Sequence, residues 1–162
     1  MKPGRLISPP GTYFVTFSTW DRHRFFVVEA YVRMFLKTLY RHRHESRYEL
    51  HAFVIMPEHV HLLVTPAIDV TIEKAVQLIK GAYSHDLGNI IGRKREIWQR
   101  GFTDHRIRSE MDFIHHRNYI RQNPVERGIV PNPCEYPYCS AYPGFTLDPW
   151  PSAAEAANLI AS

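Results

Sequence analysis

Only two cysteines, Cys134 and Cys139, occur in 162 residues. Two thiols cannot form a disulfide framework, and by themselves they cannot complete a zinc site. They read as incidental thiols in a reducing cytoplasm, and the cytoplasm is the expected location. No run approaches the ~20 apolar residues of a membrane helix. The opening "MKPGRLISPPGTY" carries two early positive charges with no apolar stretch behind them, so no signal peptide is expected. Internal repeats and low-complexity tracts are also missing. Charge of one sign is in only small excess: 20 Lys and Arg against 16 Asp and Glu give +4. That balance suits an anionic partner such as nucleic acid without requiring one.

Apolar and aromatic residues, in contrast, are plentiful. At 44% and 13% they point to a globular chain, long enough for one domain with a proper core. "TYFVTFST" (12–19) has the β-branched and aromatic content of a strand. "EAYVRMFLKTLYRHRHE" (29–45) repeats Val32, Phe35, Leu36, Leu39 and Tyr40 at helical spacing. "YELHAFVIM" (48–56) and "HVHLLVTP" (59–66) read as a hairpin around a break at Pro57-Glu58. A second helix begins after Thr71, a plausible cap, and is expected to fade by Gly88 or Asn89. "FTDHRIRS" (102–109) makes a fourth strand. "EMDFIHHRNYIRQN" (110–123) makes a third helix, expected to stop before Pro124. A Pro-rich segment follows, and "SAAEAANLIAS" is a candidate short terminal helix. The order β-α-β-β-α-β-α implies an α+β, ferredoxin-like fold, one four-stranded antiparallel sheet with packed helices. Residues 1–130 would form the main domain, and 131–162 a Pro-rich tail packed on it.

Chemistry gathers first at "HAFVIMPEHVHLLV" (51–64). Side chains alternate along a strand, so His59 and His61 share one face. Paired neutral imidazoles suit a divalent metal, although two histidines without a task would look the same. A third ligand would have to come from elsewhere. Tyr119 and Asn123 lie one turn apart on one face of the third helix, with Tyr119 off the stripe marked by Phe113 and Ile120. Core packing for the tyrosine and a helix-end role for the asparagine stay open as the plainer readings.

"MPEHVHLLV", "GFTDHRIR" and "YIRQNPVERGIV" together resemble the HUH-type single-tyrosine transposases, in particular the REP-associated tyrosine transposases, from about Tyr13 to Tyr142. The resemblance implies that His59, His61 and Asn123 bind Mg²⁺ or Mn²⁺ and that Tyr119 is the nucleophile. It also implies a single-stranded DNA hairpin as partner, from repetitive extragenic palindromes. The reaction would be cleavage and strand transfer through a 5′-phosphotyrosine link. Glu58 stands where many relatives carry asparagine, and no catalytic role is assigned to it. His115 and His105 could approach the site, but surface positions are the simpler reading for both.

Basic residues mixed with aromatics suit single-stranded DNA, where phosphates take the charge and bases stack at ~1–3 kcal/mol each. Arg93, Lys94, Arg95, Trp98, Arg100, Arg106 and Arg108 are the expected DNA contacts. A long Pro-rich tail favours a monomer over a swapped dimer, and the tail could cover the site. Two rivals stand beside this reading: a domesticated hairpin-binding protein without strand transfer, and an unrelated metal hydrolase with zinc on the histidines. The hydrolase lacks an HExxH or similar motif.

Overall fold

The computed structural model describes residues 7–151. Four strands, β1 (Tyr13–Ser18), β2 (Tyr48–Ile55), β3 (His59–Pro66) and β4 (Thr103–Arg106), form one antiparallel sheet in the order β2-β3-β1-β4. The helices are α1 (Glu29–His44), α2 (Ile72–Ile91) and α3 (Glu110–Glu126). This is the expected α+β arrangement. The expected terminal helix at 152–162 lies outside the described residues. Among the described residues, no helix is long and apolar enough to cross a membrane.

Alternation along the strands divides the core in two. Tyr13, Val15 and Phe17 of β1 join Val60, Leu62 and Val64 of β3 under α1 and α2. There Phe17, Phe26, Phe35, Tyr83 and Trp98 pack as a cluster of rings with centroids 5.1–6.3 Å apart. The opposite face puts Leu63 against Phe113 and Ile120 of α3. His59 and His61 must therefore also point toward α3. A bulge at His51 shifts β2 by one residue, so that Ala52, Val54 and Met56 join this second face.

Three expected boundaries move. The second helix runs to Ile91 and closes at Gly92, whose φ of 108° few other residues would accept. β4 is shorter than expected, because Ile107 turns into the core and its N–H bonds the Thr12 carbonyl, while Ser109 already caps α3. The third helix does not stop before Pro124. Proline removes the donor that would serve the Ile120 carbonyl, but the Cys139 thiol lies 3.9 Å from that oxygen and donates to it. Beyond the proline, Arg127 N–H reaches Asn123 O at 3.0 Å and Ile129 N–H reaches Pro124 O at 2.9 Å. Tertiary contact thus repairs a break that local rules alone would impose.

The Pro-rich segment packs on the same body. It runs beside β2, with Ile55 N–H on Tyr138 O and Ser140 N–H on Phe53 O, both 2.9 Å. The outer edge of the sheet is thereby covered. Asp148 accepts two bonds from Arg43, at 2.8 and 2.9 Å, and Trp150 stacks on Phe113 at 4.5 Å.

Candidate active site

β3 places His59 and His61 on the α3 face, and each ring is fixed from behind. The Nδ1 of His59 lies 2.8 Å from a Glu58 carboxylate oxygen. A carboxylate only accepts, so Nδ1 carries the proton and Nε2 keeps a free lone pair. The same Glu58 oxygen accepts from Arg22 at 3.1 Å and from Arg127 at 2.9 Å. For His61 the cross-strand ladder supplies the support. Thr16 stands opposite it, with Oγ1 2.7 Å from Nδ1.

Both Nε2 atoms then converge, 3.1 Å apart. Either one proton is shared between them or a cation sits against both. Burial pushes the His59 pKa down despite the bond to Glu58, and it pushes His61 down to about 3, with the neighbouring His59 and Arg127 acting the same way. Both rings are neutral near pH 7, the form that ligates metals. Burial alone would raise the Glu58 pKa, but bonds from His59 and Arg127 outweigh it and hold the carboxyl below its ordinary value.

α3 completes the cleft. Tyr119, Asn123 and Arg127 recur every four residues and so form one stripe. Asn123 is buried, and its side-chain oxygen has no hydrogen-bond partner. A buried acceptor left unpaired is costly unless something positive meets it. Tyr119 is 42% exposed, and its ring stands edge-on to His61 at 5.3 Å. These groups line a cleft of about 480 Å³ together with Thr16, Ser18 and Arg22. Two imidazole nitrogens and an amide oxygen fit a hard or borderline divalent cation such as Mg²⁺ or Mn²⁺. Tyr119, partly open to solvent and lining the same cleft, brings a phenol to this donor set, a group able to act as a nucleophile.

The chain matches the family model described as "Transposase IS200 like" over residues 11–123. The chain belongs to the HUH-type, IS200-like tyrosine transposases. Such transposases act on single-stranded DNA through a tyrosine nucleophile, and that general activity is the one this family member carries. It is similar to the REP-associated tyrosine transposase of Escherichia coli (strain K12), 30% identical over 129 residues, which cover 79% of this chain and 74% of the relative. It is also similar to a solved REP-associated tyrosine transposase bound to a REP hairpin. That match has a TM-score of 0.72 at 28% identity and covers 86% of this chain and 82% of the other.

The structure of this transposase brings His59, His61, Tyr119 and Asn123 together in one cleft. The expected DNA contacts lie elsewhere. Arg93 donates to Asn89 Oδ1, Arg95 sits 5.2 Å over the Phe25 ring, and Arg106 donates to the Pro10 carbonyl. Lys94, Arg100 and Arg108 are exposed. Trp98 is 7% exposed, enclosed by the ring cluster, and its indole N–H donates to the Lys80 carbonyl. A ring so enclosed has no free face for a base to stack on. His115 is exposed, and its ring contact is with His116 rather than with Tyr119. None of the described tail residues lines the cleft, so covering of the site is not their part.

Sequence reasoning passed over Thr16, Arg22 and Arg127, and it gave Glu58 no role. For Arg127 a signal existed, since it continues the four-residue spacing from Tyr119 and Asn123. For Arg22 there was none, because a turn between β1 and α1 has no periodicity to read. The transposase also holds a second metal-capable group, His105, Asp112 and His116, whose ligand atoms lie within 4.8 Å of one another.

Proposed function

We propose that this protein is a metal-dependent single-stranded DNA nickase and strand transferase acting at repetitive hairpin DNA. Tyr119 is the nucleophile, and His59, His61 and Asn123 hold Mg²⁺ or Mn²⁺. The observation that carries the reading is the unpartnered Asn123 oxygen, buried in a cleft that is also lined by Tyr119 and by two histidines whose Nε2 atoms lie 3.1 Å apart. Likeness to a protein bound to a REP hairpin supports the choice of substrate.

When bound, the cation would polarise the scissile phosphate and draw charge from its non-bridging oxygens. Tyr119 attacks phosphorus, the new Oη–P bond forms as the P–O3′ bond breaks, and the 3′ oxygen leaves as a hydroxyl. The tyrosine proton passes to solvent at the open side of the cleft, and the leaving oxygen takes one up. The product is a 5′-phosphotyrosine link, which a different 3′-hydroxyl can resolve by the reverse step. Glu58 sets the His59 tautomer, and Glu58 and Thr16 together hold the two rings so that each Nε2 faces the cleft. Arg22 and Arg127 line the cleft as positive charge at the phosphate's approach, each tied to Glu58. The exposed cations at Arg93, Lys94, Arg95, Arg100, Arg106 and Arg108 would meet the hairpin stem outside the cleft. A monomer is favoured over a homodimer, since the tail covers the sheet edge at β2.

The test uses hairpin oligonucleotides from the host genome's repeats, with and without Mg²⁺ or Mn²⁺, on a denaturing protein gel. A covalent protein–DNA band is expected for the wild type with metal, and its complete loss for Tyr119→Phe. Tight hairpin binding with no band in the wild type would move the assignment to a binding protein without strand transfer.

A further inference from the structure

Two strands away from β3, the same sheet face carries another constellation. His105 stands on β4 opposite Phe14 of β1. The first turns of α3 bring Asp112 and His116 against it. The Nε2 of His105 lies 2.8 and 3.1 Å from the two Asp112 carboxylate oxygens, and the Nδ1 of His116 lies 3.1 Å from one of them. The two imidazoles stack at 4.6 Å with planes 17° apart.

Asp112 is held independently of the histidines. Its carboxylate accepts the Arg108 N–H at 2.9 Å, and its own N–H donates to the Ser109 cap at 3.1 Å. The carboxylate is therefore in place before any ligand arrives. A tetrahedral ion with bonds of ~2.0–2.1 Å has ligand-to-ligand edges of about 3.3–3.4 Å. The His105–Asp112 and His116–Asp112 separations of 2.8–3.1 Å fall up to about half an ångström short of that edge, a gap that rotation of exposed His105 would open. The donor set also differs from that of the cleft. Two imidazoles and a carboxylate near the surface, with His105 exposed, suit Zn²⁺, whereas the cleft offers an amide oxygen.

We infer that His105, Asp112 and His116 form a second metal site, selective for Zn²⁺-class ions, that pins β4 to the start of the tyrosine helix. The mechanical consequence follows from Phe14. Its ring lies 4.9 Å from His116, 5.3 Å from His61 and 5.8 Å from Tyr119. An ion on His116 fixes the side of Phe14 that faces away from the cleft, and Phe14 in turn fixes the ring positions of His61 and Tyr119. β4 has only four residues and pairs on one side with β1, so it gains more from a cross-link than a central strand would. Without the ion, the His105 Nε2–H donates to the carboxylate and the His116 Nδ1–H to the Asp112 backbone carbonyl, and the trio is a hydrogen-bonded clamp. The ion replaces those protons, and the two tautomers switch.

The site is separable from the cleft by mutation. A His59→Ala/His61→Ala chain, stripped with chelator and dialysed against Zn²⁺, is expected to retain one zinc per chain. Adding His105→Gln is expected to abolish that retention, with circular dichroism confirming the fold of each. Should the double variant fail to fold, Co²⁺ titration of the wild type against His105→Gln alone decides the matter, because His105 is exposed and its replacement leaves the core intact. One fewer Co²⁺ equivalent in His105→Gln, with loss of a tetrahedral visible absorption band, is the expected result. A folded double variant that binds no zinc, or equal Co²⁺ stoichiometry in wild type and His105→Gln, overturns the inference. Neither readout depends on DNA cleavage, so a failure here is distinct from a failure of the transposase reading.

Discussion

The face of the sheet under α1 and α2 and the face under α3 are made by alternate residues of the same strands, yet they are filled differently. Under α1 and α2 every inward position of β1 and β3 is apolar, from Tyr13 to Phe17 and from Val60 to Val64. Under α3 the matching positions are Phe14, Thr16 and Ser18 on β1, and His59, His61 and Leu63 on β3. One face is a conventional core. The other carries neutral imidazoles, a buried carboxylate and an unpaired amide oxygen, a combination that favours ligand binding over stability. The first face supplies the rigidity on which the second can hold groups that would otherwise rotate away.

The comparison breaks most clearly from the apolar side. Leu62→Ala leaves a cavity under α1 and α2 and should cost ~2–5 kcal/mol in urea unfolding. Substitution of His61, its neighbour on the polar face, should not approach that loss at neutral pH.

Acid should distinguish the faces next. His61 has its pKa pushed to about 3 from an ordinary 6.5, so it stays neutral in the fold while the unfolded chain takes up a proton. A depressed folded value means that its contribution is complete above pH 6.5 and is lost as pH falls toward 3. At pH 5 His61 alone should remove about 2 kcal/mol, measured by urea unfolding with chelator present. His51 and His59, whose values burial also lowers, act in the same direction. A His61→Leu chain, in which the polar face is made more like the apolar one, should show a flatter profile between pH 7 and 5. An unchanged slope would mean that His61 is not the buried neutral group described.

Glu58→Gln sharpens the contrast within the polar face itself. The amide still accepts from His59, but it no longer offsets the charges of Arg22 and Arg127. Mn²⁺ affinity, read by calorimetry, should weaken by about tenfold, the lower end for partners that orient a ligating histidine. Equal affinity would reduce Glu58 to a structural ion pair with no part in the site.

Much of this was legible in the residues because it depends on short-range periodicity. A period of two puts His59 and His61 on one face, and a period near four joins Tyr119 to Asn123. The β3 boundaries, 59–66, and the Thr71 cap follow from the same local rules. The errors came where a distant group intervened. Pro124 should end α3 by local sterics, but the Cys139 thiol serves the abandoned carbonyl. Trp98 sits among arginines in the chain and among aromatic rings in space.

The sequence by itself determined the order of elements, the shared face of the two histidines and the stripe from Tyr119 to Asn123, since all three are set by backbone geometry within a few residues. Only the tertiary structure decided that this stripe would face those histidines, that one Glu58 oxygen would gather His59, Arg22 and Arg127, and that His105 would meet Asp112 and His116. Those meetings depend on strand register and on how a helix lies across a sheet, which are fixed by the packing of the whole core and by no local pattern.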